Sequence, residues 1–269
     1  MMKDYLDYIK NLNFSFIPLF VLLVSGCEQN ELGLSTSLLE GTGLDCYEES
    51  VLDSNPVVYF RFNEQSGASS VRDSGSSRNN PTVLNVDFGS PGVFDRNDNF
   101  SADFDGTASL NLGNHSYLQI TGDQTIEMWI RPTTFGGRRN PFAKAYGGEG
   151  TMTLEPTGQI NYYYGTNGGN GGPYQGIGSG ASTTLNAWTH VVLVRDLSNM
   201  RVRWYFNGVE VLDRAANYAA ATAGPNNMFI GEGYVSNFIG QIDEFALYDS
   251  ALSAVDIADH YAKATNPCE

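Results

Sequence analysis

Histidine and cysteine are scarce in this 269-residue chain, three of each. His115, His190 and His260 stand at no spacing that builds a zinc centre, and Cys27, Cys46 and Cys268 are too dispersed to complete one. Basic side chains are few: 15 Lys plus Arg face 30 Asp plus Glu, a formal net charge of −15. That balance excludes a phosphate-neutralising nucleic-acid surface and a polybasic contact with anionic lipid. No Gly-x-Ser-x-Gly elbow is present for nucleophilic hydrolysis. The stretch from Gly165 to Gly180 holds eight glycines in sixteen residues but no Lys-Ser/Thr follows it, so it is no phosphate-binding loop. It reads as a long flexible loop, or as an adaptable binding loop presenting Tyr174 and Gln175. No internal repeat is visible. What the chain does have is 41% hydrophobic and only 17% charged residues, enough to pack a core. Thirty glycines and 12% aromatics favour short strands joined by tight turns.

The one conspicuous apolar run, Phe14 to Val24, is far short of the roughly 20 residues that span a bilayer. Lys3 and Lys10 precede it and Val24-Ser25-Gly26-Cys27 follows it, which suits a signal peptide better than a span. The small residues leading into a cysteine resemble the bacterial lipobox. The resemblance implies a lipoprotein signal peptide over 1–26, a lipidated Cys27, and a membrane-anchored place in the bacterial cell envelope. Glu28, rather than aspartate, after that cysteine favours the outer membrane or cell surface. Residues 27–49 are polar and without periodicity and read as a tether, leaving 50–269 as the folded domain. With Cys27 acylated, Cys46 and Cys268 remain at the two ends of the folded region. They form a disulfide in an exported protein or stay as two separate thiols.

From Val57 onward the pattern is strand, turn, strand. Gln124 to Arg131 alternates, with Ile126, Met128 and Ile130 on one face. Further strands are expected at Tyr117–Ile120, Thr151–Leu154, Gln159–Tyr164, Thr189–Arg195, Met200–Phe206, Val209–Asp213, Met228–Ile230 and Phe238–Tyr248. Asn207-Gly208 between two apolar runs is the strongest hairpin signal. The single expected helix lies near the C-terminus, capped by Ser253 with Asp256 three residues on. The fold class is therefore all-β, a two-sheet antiparallel jelly-roll sandwich with a short C-terminal helix.

Taken in order, Tyr59 to Glu64, Asp73-Ser74-Gly75, Phe104-Asp105-Gly106, Thr125 to Ile130, Trp188 to Val191, Tyr205 to Gly208, Ile239 to Phe245 and Ala251-Leu252-Ser253 resemble the bacterial laminin-G-like, concanavalin A-like jelly-roll family. The resemblance implies a ligand-binding or adhesion module for a glycan or a partner protein, sometimes with Ca²⁺. It aligns Asp73 and Asp243 with neighbouring segments, and Glu64 precedes the same turn as Asp73. Together these imply a Ca²⁺ site, the alternative being that Asp73 caps its turn and Asp243 accepts backbone hydrogen bonds. Related glucanases carry Glu-x-Asp-x-x-Glu on one strand, and no such run occurs here.

Tyr162 and Tyr164 share a strand face. With Tyr174, Asn161 and Asn167 they make either an aromatic and amide platform for sugar or a cover for the core. The sequence thus points to a surface-anchored, non-catalytic binding or adhesion lipoprotein recognising a glycan or cell-surface protein. A structural envelope or assembly protein is the alternative, and a glycoside hydrolase-like enzyme on the same fold a more distant one. Replacing Cys27 by serine is expected to release the protein from membranes or leave it unprocessed, since two or more acyl chains hold a protein that one barely retains. Membrane fractionation and the mass of the mature chain check this, and retention at mature length would refute the lipobox.

Overall fold

A computed structural model of the chain describes residues 46–265. Helix α1 (Cys46–Asp53) comes first, followed by β1 (Val58–Phe60), β2 (Thr82–Leu84), β3 (Asp87–Pro91), β4 (Phe100–Asp105) and β5 (Ser109–Gly113). Then come β6 (Gln124–Pro132), β7 (Arg139–Ala145), β8 (Gly150–Leu154), β9 (Gln159–Gly165) and β10 (Tyr174–Ser182). The chain continues through β11 (Thr189–Asp196), β12 (Arg201–Phe206), β13 (Val209–Ala215), β14 (Met228–Ile230), β15 (Ser236–Asn237) and β16 (Ile239–Tyr248) into helix α2 (Ala254–Thr265). The strands form two eight-stranded sheets. One has the order β13-β12-β11-β6-β16-β4-β3, with β1 also paired to β16; the other has the order β10-β9-β8-β7-β14-β5-β2, with β15 beside β7. All pairings are antiparallel except the short β15–β7 contact.

The central strands of the first sheet, β1, β6, β11 and β16, are buried on both faces. Its inner face, with Ile126, Met128, Leu193, Trp204 and Phe245, meets Phe142, Met152, Tyr162 and Ile230 of the second sheet across the core. Its outer face carries Tyr59, Trp129, Val192, Val194 and Tyr248 beneath Tyr47 and Val51 of α1 and Ile257 of α2. Double burial explains why β11 is buried at all eight positions and reads as a nearly continuous apolar run. This is the helix-covered sheet. The second, the open sheet, turns its outer face toward loops and solvent.

Arg195 staples the two sheets. Fully buried on β11, its guanidinium donates to the carbonyls of Ile120 (2.8 Å), Gly122 (2.9 Å) and Glu149, and to the Tyr162 hydroxyl (2.9 Å). The planar fork of five N–H donors is matched to several acceptors at once, which an ammonium cannot reproduce.

The expected turn and cap are present. Asn207 and Gly208 adopt φ of +50° and +75° between β12 and β13, as a type I′ hairpin requires. Ser253 and Asp256 cap α2 reciprocally: the Asp256 N–H donates to the Ser253 hydroxyl, and Ser253 donates to the Asp256 carboxylate at 2.7 Å.

Three expectations need correction. Residues 46–49 are not tether, because α1 already includes Cys46 and buries Tyr47 and Glu48; its apolar face is too short to stand out in sequence. Tyr117–Ile120 is not a strand: a turn of 3-10 helix covers Ser116–Leu118. The glycine stretch is not all loop, since its second half is the edge strand β10, hydrogen-bonded to β9 from Tyr174↔Gly165 through Gly178↔Asn161. Residues 1–26, Cys27 and Cys268 lie outside the described residues, so neither the lipid site nor the partner expected for Cys46 is seen.

Arg195→Met should lower the unfolding free energy by about 3 kcal/mol, because it leaves the buried Ile120 carbonyl without a donor and takes one each from the Glu149 carbonyl and the Tyr162 hydroxyl, at roughly 1–3 kcal/mol each. Arg195→Lys should recover only part of that loss. Urea unfolding checks both, and a loss below about 1 kcal/mol would show the staple to be dispensable.

Candidate functional site

On β9 the side chains alternate. Tyr162 and Tyr164 point into the core and Tyr163 points outward, the reverse of the face a platform on Tyr162 and Tyr164 requires. Tyr162 is fully buried, its single O–H shared between Gln124 Oε1 (3.1 Å) and Glu149 O (3.2 Å). Tyr164 is equally buried and bonds Gln175 Oε1 at 3.1 Å. Both rings therefore belong to the core. Their hydroxyls are wholly committed to core and loop partners, and burial pushes the Tyr162 hydroxyl up to about 12 against the pull of Arg195.

The outward face gathers a different aromatic set. Tyr163 of β9, Tyr174 at the start of β10, Tyr146 after β7 and Tyr234 after β14 converge from four separate segments. Tyr146 is the hub, with ring centroids 4.7 Å from Tyr163, 6.2 Å from Tyr174 and 5.7 Å from Tyr234. Tyr163 and Tyr174 meet edge to face at 5.7 Å. Tyr234 is 72% exposed and Tyr174 45%, so the outer rims are open to a ligand while Tyr146 is buried as their support. Arg138 lies over Tyr163, 5.9 Å from its centroid, and donates to its hydroxyl at 2.9 Å. The four rings, Arg138 and Asn170 enclose a depression of about 120 Å³.

The glycines of β10 make this surface by lacking side chains. A Cβ on Gly176 would fall 2.8 Å from the Tyr163 ring, and one on Gly178 would fall 2.8 Å from Asn161 Oδ1. With neither present, Tyr163 and Asn161 extend over the sheet edge. Asn161 donates to Glu155 Oε1 (2.9 Å) and to the Tyr163 hydroxyl (3.2 Å).

Of the expected platform, the structure thus brings Tyr174 and Asn161 to the cluster and removes Tyr162 and Tyr164 from it. Asn167 is exposed but spends its side-chain oxygen on the Gly169 N–H (3.2 Å), ordering the glycine loop. Asn170 takes its place at the depression, accepting the Tyr146 N–H at 3.3 Å. Tyr146, Tyr163, Tyr234 and Arg138 were not legible as a group, since only the topology of the open sheet unites them. The one sequence signal was the alternation within Tyr162-Tyr163-Tyr164, which marks Tyr163 as the odd face.

Residues 104–258 match the family model described as the concanavalin A-like lectin/glucanases superfamily. The chain belongs to that superfamily. No curated protein is significantly similar in sequence. Among solved structures, domain 4 of an extracellular arabinanase from Geobacillus stearothermophilus, in complex with arabinotriose, superposes with a TM-score of 0.59 at 19% identity, covering 77% of this chain and 98% of that domain. The binding domain of Paraclostridial Mosquitocidal Protein 1 gives 0.63 at 16% identity over 80% of this chain, and the ligand-binding domain of botulinum neurotoxin serotype D, in complex with N-acetylneuraminic acid, gives 0.55 at 15% over 79%. The chain spans about half the length of each toxin domain, 53% and 52%. At these identities the likeness is one of fold.

Within this concanavalin A-like chain, the three carboxylates expected to hold Ca²⁺ are engaged separately. Asp73 accepts the N–H groups of Tyr59 (2.8 Å) and Gly75 (2.8 Å) on one oxygen, and the Ser77 hydroxyl (2.8 Å) and Asn79 N–H (2.6 Å) on the other. It organises its turn and has no lone pair left over for a cation. Asp243 accepts the N–H groups of Val93 and Glu244, each at 2.9 Å, and burial pushes its carboxyl up to about 7. Glu64 accepts the Arg72 N–H at 2.9 Å, and burial raises it too. Among the described residues no three His, Cys, Asp or Glu side chains converge as a metal site would need.

A second polar constellation lies under the helices. Glu127 on β6 is fully buried and accepts from His190 Nε2 (2.8 Å), His260 Nδ1 (3.0 Å), the Tyr248 hydroxyl (2.9 Å) and the Tyr47 hydroxyl (3.4 Å). The other nitrogen of His260 faces Ser54 Oγ and the Ser50 carbonyl, each at 3.1 Å. Ser54, His260 and Glu127 follow the order of a hydrolase triad, but the protonation is wrong for it. Burial works to lower His260, yet the adjacent Glu127 charge overrides it and holds the imidazole above its ordinary value. A protonated Nε2 bonding the Ser50 carbonyl has no lone pair to take a serine proton. Asp53, Asp256 and Asp259 border the opening and would repel an oxyanion. The arrangement is a latch holding both helices to the sheet.

Burial also opposes the charge on Glu127, but His260 and the donors around it hold the carboxyl well below its ordinary 4.5. Glu127 therefore contributes stability above about pH 4.5 that is lost as pH falls through its folded value, while His260 contributes below about 6.5 and loses it as pH rises through its own. The melting-temperature deficit of His260→Gln against wild type should be largest near about pH 5.5 and shrink toward about pH 9. A deficit constant over that range would show that His260 is latched without its charge.

Proposed function

We propose that this chain is a carbohydrate-binding module whose sugar docks on the tyrosine cluster of the open sheet. The observation that carries the reading is the convergence of Tyr146, Tyr163, Tyr174 and Tyr234 around Asn170 and Arg138, with two rings left open at the rim. Sugars present C–H faces that stack on aromatic rings and hydroxyls that amides read. The likeness to domains solved with arabinotriose and with N-acetylneuraminic acid supports the same reading.

The module works by binding, without a chemical step on the sugar. Glycoside hydrolysis needs two carboxyl groups across the scissile bond. Here Glu155 is tied to Arg138 at 3.0 Å and Glu149 to Lys144 at 3.2 Å, which supports a binding role. The proposal also places the protein at the bacterial surface through a lipid on Cys27, and closes the folded region with a Cys46–Cys268 bond.

Tyr174→Ala and Tyr234→Ala should each weaken glycan binding about tenfold, roughly 1.4 kcal/mol, and the double variant should abolish it on a glycan array. Both side chains are solvent-facing, so melting temperatures should stay within about 2 °C of wild type. Undiminished binding by the double variant would move the site elsewhere, and an empty array for the wild type would refute carbohydrate recognition.

A further inference from the structure

The tyrosine depression does not end at Tyr234. Asn170 and Tyr234 are also walls of a larger trough of about 560 Å³, which runs on past Thr151, Asn226, Asn227 and Phe229 to Glu232. The two compartments differ in chemistry. The first is aromatic and takes apolar ring faces, whereas the second is lined by side-chain amides that both donate to and accept from hydroxyls.

Both cations lining these compartments are already paired with a carboxylate. The side chain of Lys144 is fully buried at the trough, and its three N–H donors go to Glu149 Oε1 (3.2 Å), the Asn114 side-chain oxygen and the Asn226 carbonyl (3.3 Å). That uses all an ammonium has. Arg138 directs Nε to both oxygens of Glu155, at 3.0 and 3.1 Å, and Nη2 to the Tyr163 hydroxyl. Glu232, on the trough, has no ion-pair partner among the described residues. An acidic sugar would thus find no cation that lacks a carboxylate partner, would meet Glu232, and would approach a chain of net charge −15.

We infer that the ligand is an uncharged oligosaccharide lying across both compartments, with one unit stacked among the tyrosines and further units on the asparagine trough. This rests on the carbohydrate-binding reading above and adds charge and length to it. A single sugar fills one compartment and forgoes the other, so affinity grows with chain length. Glu155 sets charge selectivity by neutralising Arg138.

The test is calorimetric titration of the full chain in detergent. The neutral probes are the hexamers and parent monosaccharides of β-1,3-glucan, β-1,4-mannan and α-1,5-arabinan, and the acidic probes are hexagalacturonate and hexaguluronate. At least one neutral hexamer should bind ten times more tightly than its monosaccharide, while the acidic hexamers give no measurable heat. Asn227→Ala should weaken the hexamer at least threefold and leave the monosaccharide unchanged. Glu155→Gln, by uncovering Arg138, should bring acidic hexamers into the measurable range. Tighter binding of an acidic than of any neutral hexamer, or equal affinity for hexamer and monosaccharide, overturns this inference and leaves carbohydrate binding standing. Absence of binding to these probes and to a broad array of both charges refutes both.

Discussion

A carboxylate with no access to water holds this molecule together. Glu127 sits in the middle of β6, and the groups that solvate it come from β11, β16, α1 and α2. An isolated buried carboxylate would be prohibitively expensive. With two imidazoles and two phenols pointed at it, the cost is offset only when all four elements are in place. The same group thus enforces their mutual position, which the apolar packing of Tyr47, Val51 and Ile257 alone does not specify. Removing one donor leaves the charge under-solvated, the circumstance in which buried polar networks are most damaging. A second clamp follows the same logic on a smaller scale. Arg61 bridges Glu48 of α1 to Glu244 of β16, and Tyr59 donates to that same Glu244. Glu244 reaches them because it occupies a left-handed position, φ +49°, where β16 slips register against β6 between Asp243 and Ala246.

Covering one sheet with helices decides what the other can do. The central strands of the helix-covered sheet have no face left for a ligand, which supports the proposed site on the outside of the open sheet. There the chain economises on side chains at the edge, with Gly176 and Gly178 on β10, and spends them on aromatics one strand in. Tyrosine suits that position. It brings a large rigid surface with few rotatable bonds, and its hydroxyl can be paired, as Tyr163 is with Arg138 and Asn161.

How far the sequence revealed this follows from the range of each signal. The Asn207-Gly208 hairpin, the Ser253 cap and the alternation of β6 are local patterns, and each is present as read. Helix α1 escaped because it is eight residues long and mixes acids with its apolar positions; its stability comes from Glu127 and Arg61, far away in sequence. Strand β10 escaped because glycine is a poor strand former on its own, and only the neighbouring Tyr163 and Asn161 side chains make glycine necessary. The tyrosine platform was half legible. Period-two alternation separates Tyr163 from Tyr162 and Tyr164 but does not say which face is inside, and that is settled by Arg195 reaching across from the opposite sheet to the Tyr162 hydroxyl. The three carboxylates read as Ca²⁺ ligands do not converge among the described residues, and the sequence could not show this for a related reason. A carboxylate in a family-like turn looks the same in sequence whether its partners are a cation or, as for Asp73, four protein donors.

The two faces also separate the helices from the tyrosine cluster. The described chain enters the sandwich at Cys46 and runs directly into α1, which lies on the outer face of the helix-covered sheet; α2, with which the described chain ends, packs on the same face. The tyrosine cluster is on the outer face of the other sheet, with the whole core between. Both helices, at the two described ends of the chain, therefore lie on the face closed by the Glu127 latch. Displacing α1 would act first on the contacts of Tyr47, Ser50 and Glu48, and not on the strands that carry the rings. The polar latch and the tyrosine cluster thus occupy opposite faces of the sandwich and share no side chain.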